Sequence, residues 1–180
     1  FLVAIYLLSR ENKVKQELSA KTSEQERFFN NSIDMLCIAD LNGYFKLLNP
    51  EWERTLGYSK TELMGKPFID FVHPDDVEST TKAVADLSRK NKVSGFVNRY
   101  LHKDGSYRWI EWCSYPEGDL IYASARNITE YKKAEEALQK SEQLFANIYN
   151  LSPELIAVTS KKDGAIMIAN PMFTKMLDYT

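Results

Sequence analysis

Three short motifs occur twice in this chain at a single spacing. Asn42-Gly43, Asn49-Pro50 and Leu56-Gly57-Tyr58 return as Asp163-Gly164, Asn170-Pro171 and Leu177-Asp178-Tyr179, each 121 residues further on (43 to 164, 50 to 171, 58 to 179). Phe45 and Leu47 match Ile166 and Ile168 at the same spacing, and Trp52 matches Phe173. A constant offset with no slippage predicts a duplicated domain of about that period. On this reading the first copy is whole and the second is cut at Thr180. The chain is then a slice of a modular protein, and its function is that of one module in a series.

Length and charge narrow the classes further. The 180 residues carry a net charge of -2, without the basic footprint that nucleic acid requires, so no nucleic-acid partner is expected. Cys37 and Cys113 stand far apart with no metal-ligand spacing. No metal site or disulfide framework is expected, and a reducing compartment is. Phe1 to Leu8 are all apolar, too few to span a bilayer, which takes about 20 residues. Arg10, Lys13, Lys15 and Lys21 follow at once, as where a membrane helix emerges on the cytoplasmic side. Residues 1–8 are therefore expected to end a membrane span whose beginning lies upstream. A short buried helix or strand is the alternative.

Residues 9–32 hold no Pro or Gly and read as a helix with a thin apolar stripe of Val14, Leu18 and Phe28. Met35–Ala39 and Tyr44–Leu48 are apolar runs around Asn42-Gly43, which predicts a hairpin with a type I′ turn. Asn49 then reads as a helix cap and Pro50 as a first helical residue, with Gly57 ending that helix. Ser59 and Glu62 form a capping-box pattern. Phe68–Phe71 is a brief apolar element. His73-Pro74-Asp75-Asp76 opens the longest helix of the domain, to about Lys90, with Val77, Thr81, Val84 and Leu87 facing inward.

Val93–Lys103, Ser106–Tyr115 and Leu120–Asn127 are rich in β-branched and aromatic residues and read as strands. Asp104-Gly105 joins the first two, and Pro116–Asp119 the second pair. Hairpins at both ends of the domain imply an α+β fold, an antiparallel sheet with short helices on one face. From Thr129 to Asn150 the chain reads as helix, with Tyr131, Ala134, Leu138, Ser141, Phe145 and Ile148 at heptad spacing. Ser141 and Ala134 weaken that seam, so two registers of similar energy are expected.

These stretches together resemble a PAS domain of the kind found in bacterial membrane sensors. The resemblance rests on Phe28-Phe29, Asp34-Met35-Leu36, Asn42-Gly43-Tyr44, Asn49-Pro50-Glu51-Trp52, Leu56-Gly57-Tyr58, Phe71–Asp76 and Lys103–Trp109, then Arg126–Glu130 at the exit. It covers Glu26 to about Lys140, with a second unit beginning at Leu144. It implies a five-stranded antiparallel sheet with short helices on one face, flanked by N- and C-terminal signalling helices. The implied division is 1–8 end of a transmembrane helix, 9–27 juxtamembrane helix, 28–128 PAS domain, 129–150 signalling helix and 151–180 start of a second PAS domain. It also implies a homodimer joined through the flanking helices, on the cytoplasmic side of a bacterial inner membrane. The chain would feed a downstream catalytic domain of the same polypeptide, a histidine kinase. A diguanylate cyclase or phosphodiesterase output, or a ligand-free dimerisation scaffold, are the alternatives. Signal transfer falls to Asn127, Ile128, Thr129, Glu130, Tyr131, Leu138 and Ser141. The structural motif falls to Gly43, Asn49, Pro50, Gly57, Tyr58, Pro74, Asp104 and Gly105. Asn127 departs from the family's usual Asp, which loses a charge and would weaken any ion pair made there.

No cofactor is expected. A haem-binding member uses a histidine on the long helix facing the cavity, whereas His73 precedes Pro74, where a cap or turn role suffices. His102 ends a strand beside a tight turn and reads as exposed. A flavin-adduct member needs an Asn-Cys-Arg stretch, which is absent, so Cys37 and Cys113 read as small hydrophobes. An unidentified small ligand stays open. Its pocket, or else simply the core, would be drawn from Cys37, Tyr44, Trp52, Phe68, Phe71, Val84, Trp109, Trp112 and Tyr122. Trp109 and Trp112 have opposite strand parity, so one should point outward. Asp75, Asp76 and Glu78 form an acidic cluster that a charged helix start explains. No catalytic constellation is read anywhere.

Overall fold

The computed structural model describes the backbone of residues 2–177 and the side chains from Arg10 onward, Glu11 excepted. The apolar side chains of residues 1–8, read as the end of a membrane span, lie outside that description, as do Asp178, Tyr179 and Thr180. Helix α1 (Leu2–Asn30) runs unbroken through the boundary expected at residue 8. Among the described residues no helix is long and apolar enough to cross a membrane.

Five strands build one antiparallel sheet: β1 (Met35–Asp40), β2 (Phe45–Leu48), β3 (Val93–Leu101), β4 (Tyr107–Glu117) and β5 (Leu120–Asn127), in spatial order β2-β1-β5-β4-β3. The chain leaves one edge at β2 and re-enters at the other edge through β3. The crossing carries α2 (Glu51–Leu56), α3 (Lys60–Met64), two 3₁₀ turns (Phe68–Phe71 and Pro74–Asp76) and α4 (Val77–Ser88). That crossover lays the helical segment over one sheet face, and the core forms between them from Met35, Phe45, Leu48, Trp52, Leu56, Leu63, Tyr100, Ile110, Trp112 and Ala125 among others. The expected α+β PAS architecture is thus the observed one.

Local chemistry explains most element ends. The capping box at α3 is complete: the Glu62 amide donates to the Ser59 hydroxyl, and Ser59 N donates to the Glu62 carboxylate at 2.7 Å. Hydrogen bonds from Lys103, then from Ser59, hold the Glu62 carboxyl down to about 2. Gly57 closes α2 at φ 75°, where an added Cβ would meet His102 Nε2 at 3.1 Å. His102 therefore packs against that turn and is half-buried, contrary to the exposure expected of it.

Three local expectations are corrected. The Asn42-Gly43 turn is not type I′, because Asn42 does not take positive φ. Gly43 N donates to Asp40 O and Gly43 alone is left-handed at φ 92°, the turn-plus-bulge alternative for hairpins. The His102–Gly105 turn closes in the same way. The long helix starts later than expected, Pro74–Asp76 being a 3₁₀ turn, and its inward residues include Thr80 rather than Thr81. Strand β4 continues through Pro116 and Glu117, so only Gly118-Asp119 turns.

By contacts the chain divides into two units, 1–129 and 130–180. The second holds α5 (Thr129–Leu151) from Glu130 on, a hairpin of β6 (Ala157–Thr159) and β7 (Ile166–Ala169), and α6 (Pro171–Leu177). Cys37 pairs with Leu48 in the first hairpin and Ala157 with Ala169 in the second. The duplicated strand β6 is therefore offset by one residue fewer than the motifs that follow it. The second copy carries an extra turn residue, and the spacing is not free of slippage.

Candidate functional site

Inward-facing strand residues and the inner side of α4 line a cavity of about 50 Å³ between sheet and helices. Alternation along the strands decides which side chains reach it. Cys37 and Ala39 of β1, Ile121 and Ala123 of β5, Trp112 and Ser114 of β4, and Phe96, Asn98 and Tyr100 of β3 face it, closed above by Phe68, Thr80, Val84 and Leu87. Of the expected lining residues, Cys37, Phe68 and Val84 are here. Trp52 and Phe71 lie in the core beside the cavity without lining it. Trp109 and Tyr122 are corrected: both have the opposite parity and sit on the outer sheet face. Tyr122 is exposed there, and Trp109 stacks on the Arg99 guanidinium, 5.2 Å from the ring centroid. Tyr44 is exposed at the edge of β2.

Polar groups inside this region divide into satisfied and unsatisfied sets. Asn98 donates to the Thr80 hydroxyl at 3.0 Å and accepts from Trp112 Nε1 at 2.7 Å, while Thr80 donates to Asp76 O. That buried chain ties α4 to β3 and β4. Tyr100 and Ser114 are buried too, yet neither hydroxyl has a hydrogen-bond partner among the described residues. Burial pushes the Cys37 thiol up to about 12 and raises the Tyr100 phenol as well, so both stay neutral.

Leu36 of β1 is a second meeting point. Its N–H donates to Asn49 Oδ1, and its carbonyl accepts from Asn49 N and from Trp52 Nε1. Asn49 Nδ2 donates to Phe29 O and Asp34 O, which fastens the end of α1 and its exit to the domain. Asn49 is thus not the helix cap expected of it; α2 has no side-chain cap and begins after Pro50. Tyr58 packs edge-on to Phe71 at 5.2 Å.

At the exit, Ile128 N donates to Trp109 O, and Trp109 N donates to the Thr129 hydroxyl at 2.9 Å. Asn127 Oδ1 accepts from Thr129 N at 3.0 Å and from its hydroxyl at 2.6 Å. The buried Thr129, first residue of α5, is thereby latched to β4. The amide oxygen of Asn127 makes both bonds that a carboxylate oxygen would make, so the missing charge removes neither. Beyond the latch, Glu130 pairs with Lys133, and Tyr131, Leu138, Ser141, Phe145 and Ile148 are all exposed along α5.

His73 Nδ1 accepts from Asp75 N, a turn role, and His73 does not line the cavity. Sequence reading missed Arg99. Its Nε and Nη2 each reach an oxygen of Asp76 (2.8 and 2.7 Å), and its backbone N–H adds a third bond. This clamp fixes the start of α4 on the edge strand, and the Arg99 hydrogen bonds hold the Asp76 carboxyl below its usual range. A depressed carboxyl stabilises above its unfolded pKa of about 3.9 and loses that contribution as pH falls through the lower folded value. Urea titrations should accordingly show constant stability near neutrality and a fall below about pH 4. Asp76→Asn should cost about 2 kcal/mol at pH 7 and flatten that acid limb. An unchanged limb would refute the clamp.

Comparison with known proteins agrees with this geometry. Residues 45–120 match the PAS fold family. The PAS domain of an HTR-like protein from Haloarcula marismortui superposes with a TM-score of 0.58 at 25% identity, covering 65% of this chain and 99% of that one. The protein y4lL of Sinorhizobium fredii is 27% identical over 129 residues, 68% of this chain and 16% of its own length. Sporulation kinase C of Bacillus subtilis is 24% identical over 195 residues, 95% of this chain and 43% of the kinase. The chain therefore spans less than half of either relative. Fold and match together show a PAS fold in this chain.

Proposed function

We propose that this chain is the sensory and relay segment of a membrane-bound sensor histidine kinase. It passes conformational change from the PAS domain through a dimeric helix to a kinase domain further along the polypeptide. The observation that carries the kinase output is the similarity to sporulation kinase C, which runs along 95% of this chain and so past the PAS domain into the second copy. The relay step is supported by the Thr129 latch, which couples β4, a strand lining the cavity, to the first residue of α5. Two copies pairing along the exposed heptad stripe of α5 would bury it. The apolar run Phe1–Leu8, followed by four basic residues, supports membrane attachment with the domain on the cytoplasmic side.

The test uses the intact protein with its downstream sequence, incubated with labelled ATP. Label on a histidine is expected, and its absence overturns the kinase reading. Thr129→Val keeps the shape but leaves Trp109 N–H without its acceptor, at about 1–3 kcal/mol. Basal labelling should persist while its response to the stimulus falls. A variant that responds like the wild type would show that the latch carries no signal.

A further inference from the structure

Arg126 has two carboxylates within reach and holds one of them. It lies on the outer face of the sheet near the end of β5, which runs between β1 and β4. Its Nε and Nη2 donate to the two Asp34 carboxylate oxygens at 3.0 Å each, the forked geometry of a well-aligned ion pair. Directly across from it on β4 is Glu111. Side chains so placed start about 5 Å apart at Cβ, an easy span for Arg and Glu. Glu111 makes no ion pair among the described residues, although its charge acts on Arg126. Asp34, Glu111 and Arg126 share one surface recess of about 270 Å³, and the side chains beside them, Ser94, Cys113 and Ser124, are small.

The two carboxylates belong to opposite ends of the relay. Asp34 lies in the link between α1 and β1, where Asn49 Nδ2 donates to its carbonyl. Glu111 is two residues from Trp109, whose N–H and carbonyl hold Thr129 and Ile128. Arg126 itself precedes Asn127, the acceptor for Thr129. Paired with Asp34, the guanidinium draws the end of β5 toward β1 and the entry link. Paired with Glu111, it draws the same backbone toward β4 and tightens the latch.

We infer that Arg126 is a two-position arm, resting on Asp34 and moving to Glu111 when α1 displaces the entry link, so that a movement of α1 reaches the start of α5 across the outer sheet face without passing through the cavity. This rests on the reading of the chain as a relay and names the part that joins its input to its output. A shift of the Asp34 carboxylate by about 1 Å takes both bonds beyond hydrogen-bonding distance. Exposed ion pairs are individually weak, so the two positions differ in population by no more than about fivefold, and a small displacement reverses them. A deeply buried pair could not serve, because breaking it would leave an unpaired charge out of water. Asp34 and Arg126 both keep contact with solvent.

The arm is tested first in the isotopically labelled 180-residue chain, by hydrogen exchange at the Arg126 Nε–H and at the Ile128 amide. In Asp34→Asn the arm should move to Glu111, so that the Nε–H stays protected and Ile128 exchanges more slowly than in the wild type. Glu111→Gln should leave the Nε–H on Asp34 and Ile128 no slower than before. Only the double variant should free the Nε–H, whose exchange then rises by roughly fivefold, the most that an exposed pair protects. If Asp34→Asn alone frees it as fully, Glu111 is no second position and the inference falls. Unchanged exchange at the central sheet amides shows that each variant is folded. In the intact protein, the stimulated histidine labelling should shift in opposite directions in the two single variants, whereas a merely structural pair predicts a shift in the same direction or none, and either of those results overturns the arm. If the intact protein labels no histidine, the kinase reading fails by itself, because the exchange measurements decide the arm without it.

Discussion

Trp52→Ala is expected to remove about 3–5 kcal/mol of stability, the range for deleting a buried aromatic ring. Small domains hold about 5–15 kcal/mol in all, so this one change should remove a large share of the domain's stability. Trp52 is fully buried, and its ring lies 4.9 Å from Phe45, 5.7 Å from Trp112 and 6.3 Å from Tyr100. It touches both the helical segment and the sheet, so its loss opens a void where neither layer can collapse. The indole N–H also donates to Leu36 O at 3.1 Å. Trp52→Phe separates the two contributions. Leu36 O keeps its bond from Asn49 N, so no acceptor is orphaned, and the loss should be below about 2 kcal/mol. Urea denaturation of both variants gives the numbers. An alanine variant within 1 kcal/mol of the wild type would mean that the aromatic cluster does not organise this core.

How much of this was legible in the sequence depends on how local each interaction is. The Ser59–Glu62 box closes within four residues, and its pattern alone fixes it. The Gly57 and Gly105 positions follow from chain reversal. The turn at Asn42-Gly43 was placed correctly and typed wrongly, because Asn-Gly suits either turn, and the one-residue bulge at Ile38/Ala39 selects the second. Parity said that Trp109 and Trp112 part company but could not say which goes inside. The register that sets Asn98 against Ile110 and Arg99 against Trp109 decides it. Once Trp112 is known to point inward, Ser114 follows by alternation. Asn98 and Tyr100 read as ordinary residues of a strand, since nothing near them in sequence marks their partners.

The least legible residue was Asn49, because Asn before Pro is a common helix start while its real partners lie 13 to 20 residues back. The repeat offers a check. In the second copy Asn170 Oδ1 accepts from both Ile156 N and Phe173 N, and its Nδ2 donates to Glu154 O. The same side chain there does both jobs, cap and fastening. The shared part of the two roles is the fastening of the first strand and of the segment leading into it. That shared part places the motif at the junction between each unit and the helix before it.

Asn49→Ala is accordingly expected to cost about 3 kcal/mol, with Tm lowered by more than about 10 °C. Three backbone groups lose a partner at once: Leu36 N–H, Phe29 O and Asp34 O. The effect should also be local before it is global. Protease cleavage between Asn30 and Asp34 should speed up under conditions where the sheet is still folded, because the link from α1 into β1 is what has been released. Asn49→Asp is the sharper test. A carboxylate keeps the acceptor for Leu36 N–H but turns an anion toward two carbonyl oxygens. At pH 7 it should be no more stable than alanine, and it should recover in part on acidification, opposite to the acid loss expected of the wild type. Leu36 links this residue to Trp52, since both donate to its carbonyl. The double variant Asn49→Ala with Trp52→Phe removes the indole donor and loosens the backbone that carries the other, the N–H of residue 49, so that oxygen is orphaned if this backbone shifts. Its loss should then exceed the sum of the single losses by about 0.5 kcal/mol or more, as coupled neighbours do. Strict additivity would show that entry helix and core are held independently, and that α1 cannot reach the cavity through this hub.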